Sequence, residues 1–231
     1  DIESTTRKYT LTILIPTLNE EFAIARLLKE IKNSMIKTNI NYCILISDNN
    51  SQDKTIEIIS KNKDALLNKC KIKGYGANLS SAIKKINSEY TIFFDADGSY
   101  NPKFIKILFN EIKKNKYDLI TFNRLKKQEP KSMPFLNKYV GTPFLSFLIR
   151  IIYGIKVYDN NAGMRIFKTK KIKKLKLKSL GMEFASEMLI KISLNGLKYK
   201  ELILKFRKDY RNSRPHLKPF SDGIRHLKCI I

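Results

Sequence analysis

The stretch TIFFDADGSYNP, residues 91–102, joins a short apolar strand to a pair of carboxylates. Its first four residues suit a buried strand, and Asp95 and Asp97 follow at once, with Gly98 next in a position typical of a turn. Two carboxylates this close repel each other unless a cation lies between them. The stretch therefore predicts a core strand whose carboxyl end opens into a polar cleft.

On both sides of this stretch, apolar strands alternate with helical segments. Four more strands are expected, at 11–16 (ended by Pro16), 43–47, 118–122 and, weakly, 70–72. Each intervening segment carries apolar residues at helical spacing. This regular alternation is typical of an α/β protein with a mostly parallel central sheet flanked by helices.

Three of these helices carry more specific expectations. Apolar residues within 24–31 fall on one face of the first. Ser51 and Asp53 are expected to begin the helix after the second strand, because Ser and Asp favour helix starts. The helix after the quoted stretch is marked by Phe104, Ile107 and Leu108.

The alternation breaks after the strand at 118–122. Residues 124–158 form a long insertion that contains the apolar segment PFLSFLIRIIYGI, residues 143–155. Strands at 164–167 and 200–206 then flank one further helix. Since no internal repeat or low-complexity linker appears, the chain is expected to form one domain, 1–231.

Composition places the chain among folded globular proteins. Of its 231 residues 43% are hydrophobic and 10% aromatic. The three cysteines are odd in number and form no CxxC pair, which favours a reducing, cytoplasmic setting. No apolar run approaches the ~20 residues of a membrane span. The final stretch RHLKCII turns apolar as the sequence stops, so a membrane anchor beyond it is left open.

The formal net charge is +24. Solvated surface lysines would account for such an excess, and so would attraction to a polyanion, either nucleic acid or an anionic membrane surface. The sequence carries no recognisable nucleic-acid-binding motif. Nucleic acid is therefore not an expected partner, and a basic nucleic-acid-binding protein is only a remote alternative.

Polar residues follow three of the expected strands. They are Pro16–Thr17 with Glu20 after the first, Asp48 with Asn50 after the second, and the acidic pair after the quoted stretch. Ligands of open parallel sheets bind outside the carboxyl ends of the strands. Mg²⁺ or Mn²⁺ prefers oxygen ligands and uses one or two carboxylates together with substrate phosphates. The alternative is that Asp-Ala-Asp-Gly is a plain turn.

Taken together, the motifs resemble glycosyltransferase family 2. The segments ILIPTLNEE, ISDNNSQDKT, KGYGANLSSAI and FFDADGSYNP are similar, in order and spacing, to the family's nucleotide-sugar-binding motifs. The segments NRLKK, NAGMRIF, GMEFASEMLIKISLNGLK and SRPHLKPFSDGIRHLK resemble the subgroup related to dolichyl-phosphate mannose synthase and bacterial polyprenyl-phosphate glycosyltransferases. The resemblance covers nearly the whole chain.

The resemblance implies a GT-A fold and an inverting, Mg²⁺- or Mn²⁺-dependent transfer of a hexose. The donor would be a UDP- or GDP-linked sugar and the acceptor a polyprenyl phosphate. About 1–123 would bind the donor, and about 124–231 would face the acceptor and the membrane. A hydroxyl of a glycan acceptor is the main alternative, and it would require a general base.

Roles for the strand-end residues follow from the resemblance. Pro16, Thr17 and Glu20 would line the nucleoside, and Asp48, with Asn50 beside it, would bind the base. Asp95 would contact ribose or metal, with Ala96 beside it, and Asp97 would hold the metal against the diphosphate. Lys73 would approach a phosphate. Asp48 has the alternative role of capping a helix, and Lys73 that of a solvated lysine.

Five arginines match the family's later motifs. Arg124 and Arg165 follow the core and are assigned to catalysis, and Arg207, Arg211 and Arg214 to the acceptor phosphate. Arginine suits phosphate because its planar, permanently charged fork binds two oxygens. The alternative for the last three is a basic loop. His216 and His226 lack partners at metal-ligand spacing and are given no catalytic role, while Glu183 and Glu187 are expected to position other groups.

The segment 143–155 is too short to span a bilayer. It is expected either to lie in the membrane interface, aided by the lysine run 168–180, or to pack as a core helix. Departures from the family pattern, such as NAG at 161–163, leave the sugar and the nucleotide undetermined. The oligomeric state is not indicated by the sequence.

Overall fold

A computed structural model describes residues 1–210 and 219–231, and the side chains of 219 and 220 are not described. The strands of one seven-stranded sheet are β1 Leu11–Thr17, β2 Tyr42–Asp48, β3 Ala65–Lys69, β4 Tyr90–Phe93, β5 Leu119–Asn123, β6 Arg165–Lys168 and β7 Tyr199–Ile203. The helices are α1 Ile2–Thr6, α2 Ile24–Ile36, α3 Thr55–Ser60, α4 Tyr75–Lys85, α5 Lys103–Asn115, α6 Thr142–Tyr153, α7 Thr169–Lys174, α8 Phe184–Leu194 and α9 Pro219–Ile230. A π-helical segment, Asn137–Gly141, leads into α6.

The sheet has the order β3-β2-β1-β4-β6-β5-β7. All its pairings are parallel except those of β6, which runs antiparallel to both β4 and β5. The expected α/β class with a mostly parallel sheet is therefore confirmed. Because β6 runs backwards, its amino end lies at the same edge as the carboxyl ends of its neighbours.

Helices cover both faces of the sheet. On one face, α2 and α5 bury Ile24, Leu28, Leu108 and Ile112 against the sheet. On the other, α4, α6 and α8 bury Leu79, Ile149 and Leu189. Both faces of each central strand are thus covered, which explains why these strands read as continuous apolar runs.

Several expected boundaries shift. Pro16 lies inside β1 rather than ending it, and the strand expected at 70–72 lies instead at Ala65–Lys69. The helix expected from Ser51 begins at Thr55, and the Asp53 carboxylate accepts the Thr55 N–H at 2.9 Å.

The buried face of α5 also differs from the expected one. It consists of Ile105, Leu108, Phe109 and Ile112, while Ile107 is 47% exposed. Apolar residues on both sides of this helix made its periodicity ambiguous.

The core-packing role expected for the insertion's apolar segment is confirmed for one side of α6. Leu145 and Ile149 of α6 pack into the core. The opposite side of α6, together with the π-helical segment and Leu136 before it, forms an exposed surface called here the apolar face. Its members are each about half exposed or more: Leu136, Tyr139, Val140, Phe144, Phe147, Ile151 and Ile152. None of the helices within the described residues is both long and apolar enough to cross a bilayer.

Candidate active site

The predicted strand ends meet at one edge of the sheet. Thr17 of β1 pairs with Asp48 of β2, and Leu14 of β1 pairs with Phe93, two residues before Asp95. The same edge receives the amino end of β6, which begins at Arg165. Residues that are distant in sequence therefore meet at one edge of the sheet.

Asp48 is nearly fully buried and holds the loop that follows β2. Its Oδ1 accepts hydrogen bonds from Thr17 Oγ1 at 2.9 Å and Ser51 Oγ at 2.6 Å, and its Oδ2 accepts the Ser51 N–H at 2.9 Å. Asn50, in the same loop, is exposed with φ of 66°. Asp48 therefore closes the turn after β2 and does not cap α3, which begins only at Thr55.

Glu20 and Lys73 flank this loop. Glu20 is buried, and its N–H donates to Thr55 Oγ1 at 2.8 Å. Lys73 is exposed and precedes Gly74, whose N–H donates to Asn49 Oδ1 at 2.9 Å. The Asn49 amide also donates to the Ile72 carbonyl at 2.7 Å, so Asn49 ties the loop before α4 to the end of β2. Sequence reasoning placed Asn49 at the strand end but missed this role.

Asp95 is partly exposed, and its carboxylate lies next to Tyr75 and Gly163. Tyr75 Oη lies 3.5 Å from Asp95 Oδ1. Burial, together with the charge of Asp95, raises the pKa of Tyr75 well above its ordinary value. A Cβ at Gly163 would collide with the Asp95 carboxylate, and the Gly163 N–H donates to Tyr100 Oη at 2.9 Å. Glycine at this position of the NAG motif therefore leaves room for the carboxylate.

Asp97 begins a tight loop. Its Oδ1 accepts from the Ser99 N–H at 2.9 Å and from Ser99 Oγ at 2.6 Å. Gly98 has φ of +79°, a left-handed conformation that glycine adopts without strain. Ala96, between the two aspartates, is buried. Asp97 itself stays partly exposed at the cleft.

Arg124 is committed to a buried carboxylate. Its Nε and Nη2 donate to Asp159 Oδ2 and Oδ1, both at 2.8 Å, and its backbone N–H donates to Oδ2 at 2.9 Å. Although burial opposes the charged form, Asp159 raises the pKa of Arg124 above its ordinary value. In this structure the guanidinium is thus paired within the protein.

Arg165 is almost fully buried below the cleft. Its guanidinium donates to the carbonyls of Ala185 at 2.8 Å and Asn160 at 2.6 Å, and among the described residues its Nε has no hydrogen-bond partner. Burial lowers the pKa of Arg165 to about 10, which still leaves it charged at neutral pH. Arg165 is therefore a buried positive charge near this edge of the sheet.

Arg207 lies against α2. Its Nη2 donates to Glu30 Oε2 at 2.6 Å, and its Nε donates to the Gly98 carbonyl. Arg211 and Arg214, assigned with it to the acceptor phosphate, lie outside the described residues, as does His216.

Glu187 of α8 and Glu183, which directly precedes that helix, both accept hydrogen bonds from backbone groups. Glu187 accepts the N–H groups of Lys178 and Ser179, the latter at 2.7 Å, and pairs with Lys191 at 2.8 Å. Glu183 Oε1 accepts the Gly181 N–H at 3.0 Å. These contacts agree with the expected positioning role.

Four partners in the site were missed from the sequence: Tyr75, Tyr100, Asp159 and Glu30. Tyr100 stands within the quoted stretch, and Asp159 just before the NAG motif, so both stood close to recognised signals. Glu30 lies on a polar helix face and gave no signal, since only the folded chain brings it to Arg207.

Comparison with known proteins defines the class first. The structure superimposes on a crystal structure of glucosyl-3-phosphoglycerate synthase from Mycobacterium tuberculosis in complex with Mn²⁺, UDP and glucosyl-3-phosphoglycerate, with a TM-score of 0.74. The match covers 99% of this chain and 81% of that one at 17% identity. The fold is thus the GT-A glycosyltransferase fold, as expected.

The sequence comparisons then give the family. The model of Glycosyl transferase family 2 matches residues 12–176, and the chain belongs to this family. It is 32% identical to the low-salt glycan biosynthesis hexosyltransferase Agl6 of Haloferax volcanii over 96% of this chain and 53% of that protein.

Two further relatives act on dolichyl phosphate according to their names. The UDP-N-acetylglucosamine–dolichyl-phosphate N-acetylglucosaminyltransferase of Methanococcus voltae is 28% identical over 84% of both proteins. The dolichol-phosphate mannosyltransferase of Pyrococcus furiosus is 24% identical over 78% of this chain and 52% of that protein. The chain thus spans about half the length of two of these three relatives.

Proposed function

We propose that this chain transfers a hexose from a nucleoside diphosphate sugar to a polyprenyl phosphate, with inversion, at a membrane surface. The observation that carries the proposal is the convergence of Thr17, Asp48, Asp95 and Asp97 at one sheet edge in a family 2 glycosyltransferase. Two relatives named for dolichyl phosphate acceptors support the lipid. A neighbour crystallised with UDP supports a nucleotide donor.

The donor set fits a divalent cation bound together with substrate. Asp95 and Asp97 are both partly exposed at this edge of the sheet, and the Asp95 carboxylate occupies the space that a side chain at position 163 would need. Within the described residues no group of three or more acidic, His or Cys side chains could hold a metal alone. Mg²⁺ and Mn²⁺ need no such cage, since phosphates and water complete their coordination. Asp97, with Asp95, would hold the cation.

The reaction builds negative charge on the departing nucleoside diphosphate. A bound Mg²⁺ or Mn²⁺ would neutralise part of that charge. Buried Arg165 adds a fixed positive charge below the cleft, where low dielectric strengthens its effect. Because a polyprenyl phosphate is already anionic at neutral pH, its oxygen can attack the anomeric carbon without a strong general base.

The apolar face supports the membrane location. Its exposed side chains adjoin cations, since the Arg150 guanidinium lies 5.8 Å from the Phe147 ring centre and Lys138 Nζ lies 4.9 Å from that of Tyr139. Apolar side chains beside basic ones are the pattern of a surface that inserts among anionic headgroups. We place the acceptor lipid on this side of the molecule.

The first prediction tests the reaction. Purified protein is given radiolabelled UDP- and GDP-sugars with Mn²⁺ and polyprenyl phosphate, and label is counted in the lipid phase. Asp97→Ala should lower transfer at least about a hundredfold, because charge on the leaving group loses its main stabilisation. The control is Asp64→Ala, which removes a surface carboxylate paired with Lys32 at 2.7 Å.

Three outcomes would contradict the proposal. Normal turnover by Asp97→Ala would exclude the metal role. Label appearing only in oligosaccharide acceptors would favour the hydroxyl-acceptor alternative. No transfer from any nucleotide sugar would refute the glycosyl-transfer proposal.

A further inference from the structure

Residues 207–210 lie along the Asp97–Ser99 loop and bind its backbone. The Tyr210 N–H donates to the Asp97 carbonyl at 2.8 Å, and the Arg207 N–H donates to the Ser99 carbonyl at 3.1 Å. Arg207 Nε takes the carbonyl between them, that of Gly98. Three consecutive carbonyls of the loop that carries Asp97 are therefore held by one segment more than a hundred residues away in the chain.

The Tyr210 ring packs directly against Gly98. A Cβ at Gly98 would collide with the ring, so the ring occupies the space that a side chain would need. The Arg26 guanidinium stacks on the same ring, 3.7 Å from its centre. Such a stack holds the ring in place through cation–π attraction.

Helix α2 anchors the arrangement through one carboxylate. Glu30 Oε2 accepts from Arg207 at 2.6 Å, while its Oε1 accepts from Tyr210 Oη at 2.7 Å and from Arg26 Nε at 3.1 Å. Side chains of Glu30 and Arg207 are 26% and 19% exposed, so water screens the pair only partly. Glu30 thus links α2 to the loop through Arg207 and Tyr210.

We propose that Glu30, Arg207 and Tyr210 are positioning residues that hold the Asp97 carboxylate in the orientation needed to bind a cation with a nucleoside diphosphate. The inference rests on the proposed function. Only one carbon separates the Asp97 carboxylate from Cα, so movement of the loop backbone moves the carboxylate directly. A misplacement of about 1 Å in such a group costs up to about a hundredfold in rate.

This assignment replaces the acceptor-phosphate role expected for Arg207. In the structure its guanidinium charge is balanced by Glu30, and its Nε is used by Gly98. An arginine bound in this way supports the donor side of the site. A donor-side role predicts weaker binding of Mn²⁺ with nucleotide when Arg207 is replaced, whereas an acceptor-phosphate role predicts a raised acceptor KM.

The test measures binding of Mn²⁺ with UDP, and separately with GDP, by isothermal titration calorimetry. Glu30→Ala and Arg207→Ala should each weaken this binding about tenfold, as loss of charge-assisted hydrogen bonds does. The acceptor KM at saturating donor should stay within about twofold of wild type. The double variant should lose little more than either single variant, since both act on one contact.

The matched control is Glu111→Ala. Glu111 is also 26% exposed in its side chain and pairs with a cation, Lys200, at 2.7 Å, but it lies on α5 away from the loop. It should leave Mn²⁺–UDP binding unchanged. Tyr210→Phe removes only the hydroxyl that donates to Glu30, so it should weaken the binding of Mn²⁺ with nucleotide by less than the alanine variants do. This conservative variant still tests the proposal if an alanine variant fails to fold.

The outcomes separate this inference from the proposed function. Wild-type protein that binds neither nucleotide with Mn²⁺ would refute both. Wild-type binding that Glu30→Ala and Arg207→Ala retain in full would overturn the positioning role alone. A raised acceptor KM in Arg207→Ala, with unchanged Mn²⁺–UDP affinity, would return Arg207 to the acceptor phosphate.

Discussion

His226 lies buried where three helices meet. Its Nδ1 is 2.7 Å from Ser186 Oγ, which accepts from Asn160 Nδ2 at 2.9 Å, and Ser146 Oγ donates to Asn160 Oδ1 at 3.0 Å. Ser146, Ser186 and His226 belong to α6, α8 and α9. Since the Ser186 hydroxyl proton is free to go to Nδ1, the chain of bonds suits a neutral imidazole.

This histidine should make stability depend on pH. Burial lowers the pKa of His226 to about 4, against opposing effects of Glu183 and Asp222. Between that value and the unfolded value of about 6.5, the unfolded chain binds a proton that the folded chain does not. The free energy of unfolding should therefore fall as pH drops through this window, by at most about 3 kcal/mol. Urea unfolding at pH 7, 6 and 5 measures it.

A His226→Gln variant provides the comparison. Glutamine keeps a polar group near Ser186 but does not titrate, so its stability should decline less between pH 7 and 5 than that of wild type. An equal decline in both proteins would show that other groups cause the pH dependence.

At the scale of single residues, the positions of charged side chains in the fold could be predicted from the sequence better than the residues with which they pair. The acidic pair after β4 was found because two carboxylates directly after an apolar strand are unusual. The ion pair of Arg124 with Asp159 spans 35 residues, and that of Arg207 with Glu30 spans 177. No local sequence pattern predicts contacts between residues that far apart. The ion pairs of Arg124 and Arg207, which match phosphate-binding motifs of the family, were therefore not predicted.

The element that most invites experiment is the apolar face formed around α6. Replacing Phe147 or Ile151 by Glu should weaken binding to vesicles containing an anionic lipid. A fully buried side chain of this size contributes about 1.5–3 kcal/mol, so each change should lower partitioning at least about tenfold. Cosedimentation with liposomes measures the effect.

Ile36→Glu is the matched control for this face. Ile36 is 76% exposed at the end of α2, outside the apolar face, and its replacement should not alter vesicle binding. Equal losses in Ile36→Glu and Phe147→Glu would mean that the added negative charge, not the apolar face, determines binding.

Elements were predictable where their pattern was unambiguous. β1, β2, β4 and β5 are short apolar runs and fell close to their expected positions. β3 was misplaced because ALLNK lacks the β-branched residues that favour strands. The reversed direction of β6 could not be foreseen, since a four-residue strand carries no signal of its orientation.

At the scale of the whole molecule, charge and fold serve the same proposed reaction. A chain of net charge +24 attracts nucleoside diphosphates and anionic lipids over long distances, while the acidic pair places negative charge only at the cleft. The family assignment supports this interpretation over nucleic-acid binding. Composition alone could not choose between these partners.

The division of the chain at residue 123 predicts that its halves depend on each other. In the part of the chain that the structure describes, β5 pairs only with β6 and β7, and β4 pairs with β6 on its outer side. A fragment of residues 1–123 should therefore lack a cooperative unfolding transition by circular dichroism, whereas the full chain should show one. A two-state transition in the fragment would show that the donor-binding part folds alone.

The position of β6 also has a consequence during synthesis. When β5 emerges from the ribosome, neither neighbour exists, and the last of them is complete about 80 residues later, at Ile203. At about 5–20 residues per second this delay lasts roughly 4–16 s. Throughout that time β5, a largely apolar strand, is open to misassociation. Rare codons between β5 and β7 would therefore prolong the exposure and lower the soluble yield.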